Sequence, residues 1–155
     1  MGLTNKDIIR RIRYIFDYED DQMIQLFALG DKKVTRAEIS DWLKKEDDAE
    51  DEVVKDIILA HFLNGLIIEK RGKKEGAPPM EAERSLNNNI IFRKLRIALN
   101  FKDTDILELF KLADLQVSKH EISAIFRKPS QKQYRPCQDQ FLRNFLQGLQ
   151  MKIRG

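Results

Sequence analysis

Shifted by 83 positions, this chain falls on itself: residues 3–66 align with 86–149 without a gap. Leu3, Asn5, Ile8, Arg10 and Arg13 meet Leu86, Asn88, Ile91, Arg93 and Arg96. Leu26, Phe27, Leu29, Asp31 and Val34 meet Leu109, Phe110, Leu112, Asp114 and Val117. VTRAEISDWLKK at 34–45 returns as VSKHEISAIFRK at 117–128, and Phe62, Leu63, Gly65 and Leu66 return as Phe145, Leu146, Gly148 and Leu149. A match that runs through the joints as well as the periodic segments marks an internal duplication. Whatever fold one half adopts, the other must adopt too.

Each copy predicts four helices. Ile8, Ile12, Ile15 and Phe16 follow the i, i+4, i+7, i+8 spacing of one buried helical face. Thr4 or Asn5 suits the cap of that helix, as Asn87 or Asn88 does in the second copy. A second helix begins near Asp20. Its apolar residues Met23, Ile24, Leu26, Phe27 and Leu29 surround most of its circumference, so it is expected to be the most buried element. The third helix is the repeated EIS motif. The fourth is expected from about Val53 to Lys70 and from Pro136 to Lys152, with Pro136 in its first turn. No alternating strand pattern occurs, and the reading is all-α: two tandem four-helix repeats, 1–70 and 86–155, joined by a linker at 71–85 that carries Gly and two Pro.

Thr35-Arg36-Ala37-Glu38 and Ser118-Lys119-His120-Glu121 both fit the capping box, which explains the paired hydroxyl and carboxylate without invoking catalysis. Behind the box, Ile39, Trp42 and Leu43 face inward, matched by Ile122, Ile125 and Phe126. Arg36, Ala37, Ser40, Asp41 and Lys44 are placed outward, matched by Lys119, His120, Ser123, Ala124 and Arg127. Helix, short turn and capped helix together resemble a helix-turn-helix, which reads bases from its second helix. The formal charge of +3 hides an asymmetry that bears on this: residues 1–66 carry ten Lys/Arg against fifteen Asp/Glu, and residues 86–155 carry thirteen against six. Much of the difference lies in one joint, KKEDDAEDE at 44–52 against RKPSQKQYR at 127–135. Nucleic acid is therefore expected, if anywhere, at Lys119, Ser123, Arg127, Lys128, Lys132 and Arg135 of the second copy. The asymmetry also suits self-association of opposite halves.

Arg10 and Arg13, matched by Arg93 and Arg96, are expected to pair with Asp20/Asp103 or Asp31/Asp114, an anion site being the alternative. Gly65 and Gly148 sit inside apolar helices, where close helix approach compensates their poor propensity. His61 and His120 do not correspond across the copies, and no HExxH, phosphate-loop or calcium-loop pattern occurs, so no metal or cofactor is expected. Cys137 replaces Val54 of the first copy, which suits a small core residue. With a single cysteine no intramolecular disulfide can form, and the apolar run at 57–68 is too short to span a bilayer. The N-terminus lacks a secretory apolar region, which points to the cytoplasm.

NKDIIRRIRYIFD, FLNGLIIEKRGKKEGAPP, NNIIFRKLRIAL, DILELFKLAD, SKHEISAIFRKP and CQDQFLRNFLQGL together resemble the YehS-like proteins, a bacterial family of unknown function. The resemblance covers nearly the whole chain. It implies a bacterial, cytosolic tandem-repeat protein, and it carries over no activity, substrate or site residue. The residues themselves favour a non-enzymatic module that binds a macromolecule, protein ahead of nucleic acid, over an enzyme with an unrecognised acid–base site.

Overall fold

The computed structural model describes residues 2–44 and 53–155; the acidic joint at 45–52 lies outside them. The described residues form eight helices and no strand. The first unit holds α1 (Asn5–Phe16), α2 (Asp20–Leu29), α3 (Arg36–Trp42) and α4 (Asp56–Arg71). The second holds α5 (Asn88–Leu99), α6 (Asp103–Leu112), α7 (Lys119–Ile125) and α8 (Asp139–Arg154). Every helix of the second unit starts and ends 83 residues after its counterpart, so the duplication seen in the letters is a duplication of structure.

Local chemistry sets these boundaries. Thr4 and Asn87, each with extended backbone, accept from the amides of Asp7 and Ile90 and so open α1 and α5. Both helices stop at a left-handed residue, Asp17 (φ 55°) and Asn100 (φ 55°), types that tolerate this conformation best after glycine. Asp31 and Asp114 do the same after α2 and α6. The predicted capping boxes form: Thr35 N–H donates to Glu38 Oε1 at 3.0 Å and Glu38 N–H to Thr35 Oγ1 at 3.1 Å. Ser118 and Glu121 repeat both bonds at 3.1 Å.

Two side-chain ties, present in both units, fix how the helices meet. Asn5 Nδ2 donates to Val54 O and Asp56 Oδ1, as Asn88 Nδ2 does to Cys137 O and Asp139 Oδ1. Each tie pins the start of the first helix to the start of the fourth. Arg13 Nε donates to Tyr18 O while Nη2 meets Asp20 Oδ1 at 2.6 Å; Arg96 bonds Phe101 O and lies 2.8 Å from Asp103 Oδ1. The latter is a charge contact rather than an aligned bond, since Asp103 Oδ1 has no hydrogen-bond partner.

The core of each unit is built from its four helices. Phe27 packs at a tilt against Trp42 and Phe62 in the first unit. In the second, Phe92 gathers Phe110, Phe126, Phe141 and Phe145 around it. The closest approach is between the second and fourth helices. A Cβ on Gly65 would stand 1.7 Å from Leu26 O, and one on Gly148 would stand 1.9 Å from Leu109 O. Only glycine fits there, which accounts for its cost inside a helix.

Several expectations are corrected. The most buried element of the first unit is α4, enclosed without a break from Phe62 to Ile67, not α2, where only Met23, Leu26 and Phe27 are buried. On α2 Leu29 is exposed and Ile24 half-buried, whereas on α4 even Asn64 and Gly65 are enclosed among the apolar residues. Pro136 lies outside α8, which begins at Asp139 behind the extended cap Gln138. Ala124 is buried rather than outward, and Trp42, Leu43 and Phe126 are half-buried. The glycine- and proline-bearing connector is attached to the first unit: Asn64 Nδ2 donates to Glu81 O, and Leu86 N–H to Asp56 Oδ2.

Candidate functional site

In the first unit, α1, the turn after it and the start of α2 and α3 enclose a cleft of about 720 Å³. Arg10, Tyr14, Tyr18, Glu19, Arg36 and Leu43 are among its lining residues. Two of its cations are engaged: Arg13 with Asp20, and Arg36 with Asp21. Burial, reinforced by the charge of Glu69, raises the Tyr18 hydroxyl well above the ordinary tyrosine value. It therefore stays a neutral donor, directed to Glu69 Oε2 at 3.5 Å. Tyr14 stands 52% exposed beside these charges.

In the second unit the residues singled out for nucleic acid fall on α7 and the joint after it. Lys119, Lys128, Lys132 and Arg135 are exposed. Ser123 and Arg127 are half-buried, and Arg127 Nε is enclosed without a hydrogen-bond partner. The joint has a built shape. Gln131 N–H donates to Lys128 O, Tyr134 N–H to Gln131 O, and Arg135 N–H to Ala124 O. Underneath, buried Asn89 donates to Ile125 O and Arg135 O and accepts from Cys137 N–H at 2.8 Å. One side chain thereby satisfies three main-chain groups. The corresponding residue of the first unit is Lys6, which has no equivalent amide.

A hollow of about 460 Å³ adjoins this joint, floored by Leu115, Ile125, Pro136 and Phe141. Cys137 is buried, and its thiol is pushed up to about 12, first by burial and then by the charge of Asp139. It therefore lacks the thiolate a nucleophile needs. His61 Nδ1 meets Gly30 O at 2.6 Å, a structural contact, while His120 is exposed. Among the described residues no cluster of three or more His, Cys, Asp or Glu could hold a metal ion, and no helix is long and apolar enough to cross a membrane.

Arg10 and Arg93 are the residues whose placement sequence reasoning missed. By sequence they fall in range of Asp20/Asp103 or Asp31/Asp114. No ion pair joins either among the described residues: Asp20 and Asp103 take Arg13 and Arg96 instead.

Comparison with known proteins agrees with this architecture. No solved structure matches the chain. It is 46% identical over 147 residues to the Uncharacterized protein YehS of Escherichia coli (strain K12), an alignment covering 95% of this chain and 94% of that relative. The family model described as Protein of unknown function (DUF1456) matches twice, at residues 5–72 and 88–155, one match for each four-helix unit. The chain belongs to this family, and holds two copies of its unit.

Proposed function

We propose that this chain is a non-catalytic module that binds a protein partner. The observation that carries the reading is a coincidence between the two units. Tyr14 and Ile97 correspond by the repeat and are 52% and 46% exposed; Leu29 and Leu112 correspond and are 39% and 44% exposed. Single exposed apolar residues are ordinary on any surface. Large ones left outside at the same two places of both copies are not, when neighbouring surface positions have diverged as far as Glu19 to Lys102 and Asp21 to Thr104. The absence of catalysis is supported by the structural duties of the matched carboxylates. Glu38 and Glu121 close capping boxes, Asp20 and Asp103 meet arginines, and Asp56 and Asp139 hold Asn5 and Asn88.

The test is a comparison of immobilised wild-type chain with a Tyr14→Ser, Leu29→Ser, Ile97→Ser, Leu112→Ser variant of unchanged melting temperature. Proteins held by the first and lost by the second are purified and their Kd measured against both. An identical set recovered by the two contradicts the reading.

A second reading rests on the shaped basic joint of the second unit, where Lys119, Lys128, Lys132 and Arg135 suit a polyanion. It requires affinity for mixed-sequence DNA or RNA that falls steeply with salt and weakens in Lys132→Ala, Arg135→Ala. No binding at low salt eliminates it.

A further inference from the structure

Each unit acts as a control for the other, separating residues that hold the fold from residues that do not. Most polar residues identical in both copies have an internal duty, as described above. Arg10 and Arg93 have none. They lie half-buried at the same place on α1 and α5, and no ion pair or hydrogen bond engages either guanidinium among the described residues. Four residues on, one helical turn away on the same side, stand the exposed Tyr14 and Ile97. In the first unit both residues of this pair line the cleft. A cation beside an apolar platform is thus built twice, on surfaces whose other charges have diverged.

We infer that Arg10 and Arg93 are equivalent anchors for a carboxylate of a protein segment, whose neighbouring apolar side chain packs on Tyr14 or Ile97. The inference rests on the protein-binding reading and names the partner's chemistry. A guanidinium and a carboxylate form a strong two-pronged hydrogen bond when water is partly excluded, and the half-buried setting supplies that exclusion. A nucleic acid fits poorly in the first unit. Its strand brings phosphate after phosphate, and the cleft around Arg10 also presents Asp17, Glu19, Asp20 and Asp21. A protein segment can set one carboxylate on Arg10 and leave those acids in water.

The test uses the full chain labelled with nitrogen-15, following the arginine Nε–Hε signals. The probes are blocked short peptides carrying one Glu beside Leu, Phe or Tyr, their Gln counterparts, and single-stranded DNA of mixed sequence. The Glu peptides are expected to move the Arg10 and Arg93 signals, and the Gln peptides to bind at least about tenfold more weakly. Arg10→Gln and Arg93→Gln should each abolish one site and leave the other, and Tyr14→Ala should weaken binding at Arg10 alone. Failure of every Glu peptide to move either signal overturns the inference, as does equal response to Gln peptides or to DNA. If Arg10→Gln with Arg93→Gln retains the protein partners that the four-serine variant loses, this inference fails while the protein-binding reading stands.

Discussion

The strictest constraints on this chain are held by single residues with no freedom to vary. Gly65 and Gly148 lie against the carbonyls of Leu26 and Leu109 so closely that a methyl group has no room, and the obstacle is main chain that cannot step aside alone. Alanine normally helps a helix by about 1 kcal/mol over glycine. Here Gly65→Ala and Gly148→Ala should instead destabilise the chain by about 1–3 kcal/mol or more through overpacking, read by urea unfolding; a gain in stability at either would show that the helices are not in contact. Cys137 allows a second check. Its thiol is held up to about 12 against an ordinary 9.0, so at pH 8 it stays protonated and should alkylate far more slowly in the native chain than in urea. The folded state keeps this proton more tightly than the unfolded one. Stability should therefore be unaffected by this group below pH 9.0 and should fall as pH rises from there towards 12. Rapid native alkylation at pH 8 contradicts the buried assignment.

Helix positions were legible in the sequence because caps and apolar spacing are local. The caps of α1, α3, α5 and α7 follow from letters within one turn of each boundary. What the letters hide is reach. Pro136 reads as a helix start, yet α8 begins at Asp139, whose side chain, like that of Asp56 at the start of α4, takes an asparagine 51 residues away in sequence. The apolar residues of α2 give no sign that Leu29 stays exposed and Ile24 half-buried while α4 is enclosed from Phe62 to Ile67. Arg10 illustrates the same limit at the candidate site: Asp20 stands in range by sequence, and only three dimensions show it taken by Arg13. Asn89 makes the prediction at this level. Asn89→Ala leaves three main-chain groups without their partner, each costing about 1–3 kcal/mol if it stays dry. Amide exchange at Cys137 and Arg135 should accelerate strongly, while amides of α1–α4 keep their protection. Unchanged exchange at Cys137 would show that the joint holds its shape without Asn89.

Taken whole, the molecule is one folding unit written twice and then given opposite surface charge. The interior solutions were kept: the asparagine that joins first helix to fourth, the arginine that locks the following turn, the glycine at the tightest crossing. The surfaces were free to diverge, and Arg10 with Arg93, Tyr14 with Ile97 and Leu29 with Leu112 are among the matched outer positions where binding is sought. An experimentally determined structure of the chain tests this most directly, by superposing residues 5–44 and 56–71 on 88–127 and 139–154. The account predicts that all four helix pairs coincide, with Asn5 over Asn88 on matching aspartates and Gly65 over Gly148 against matching carbonyls. A second unit whose third or fourth helix packs elsewhere would contradict it, and with it every site argued from the comparison of the copies.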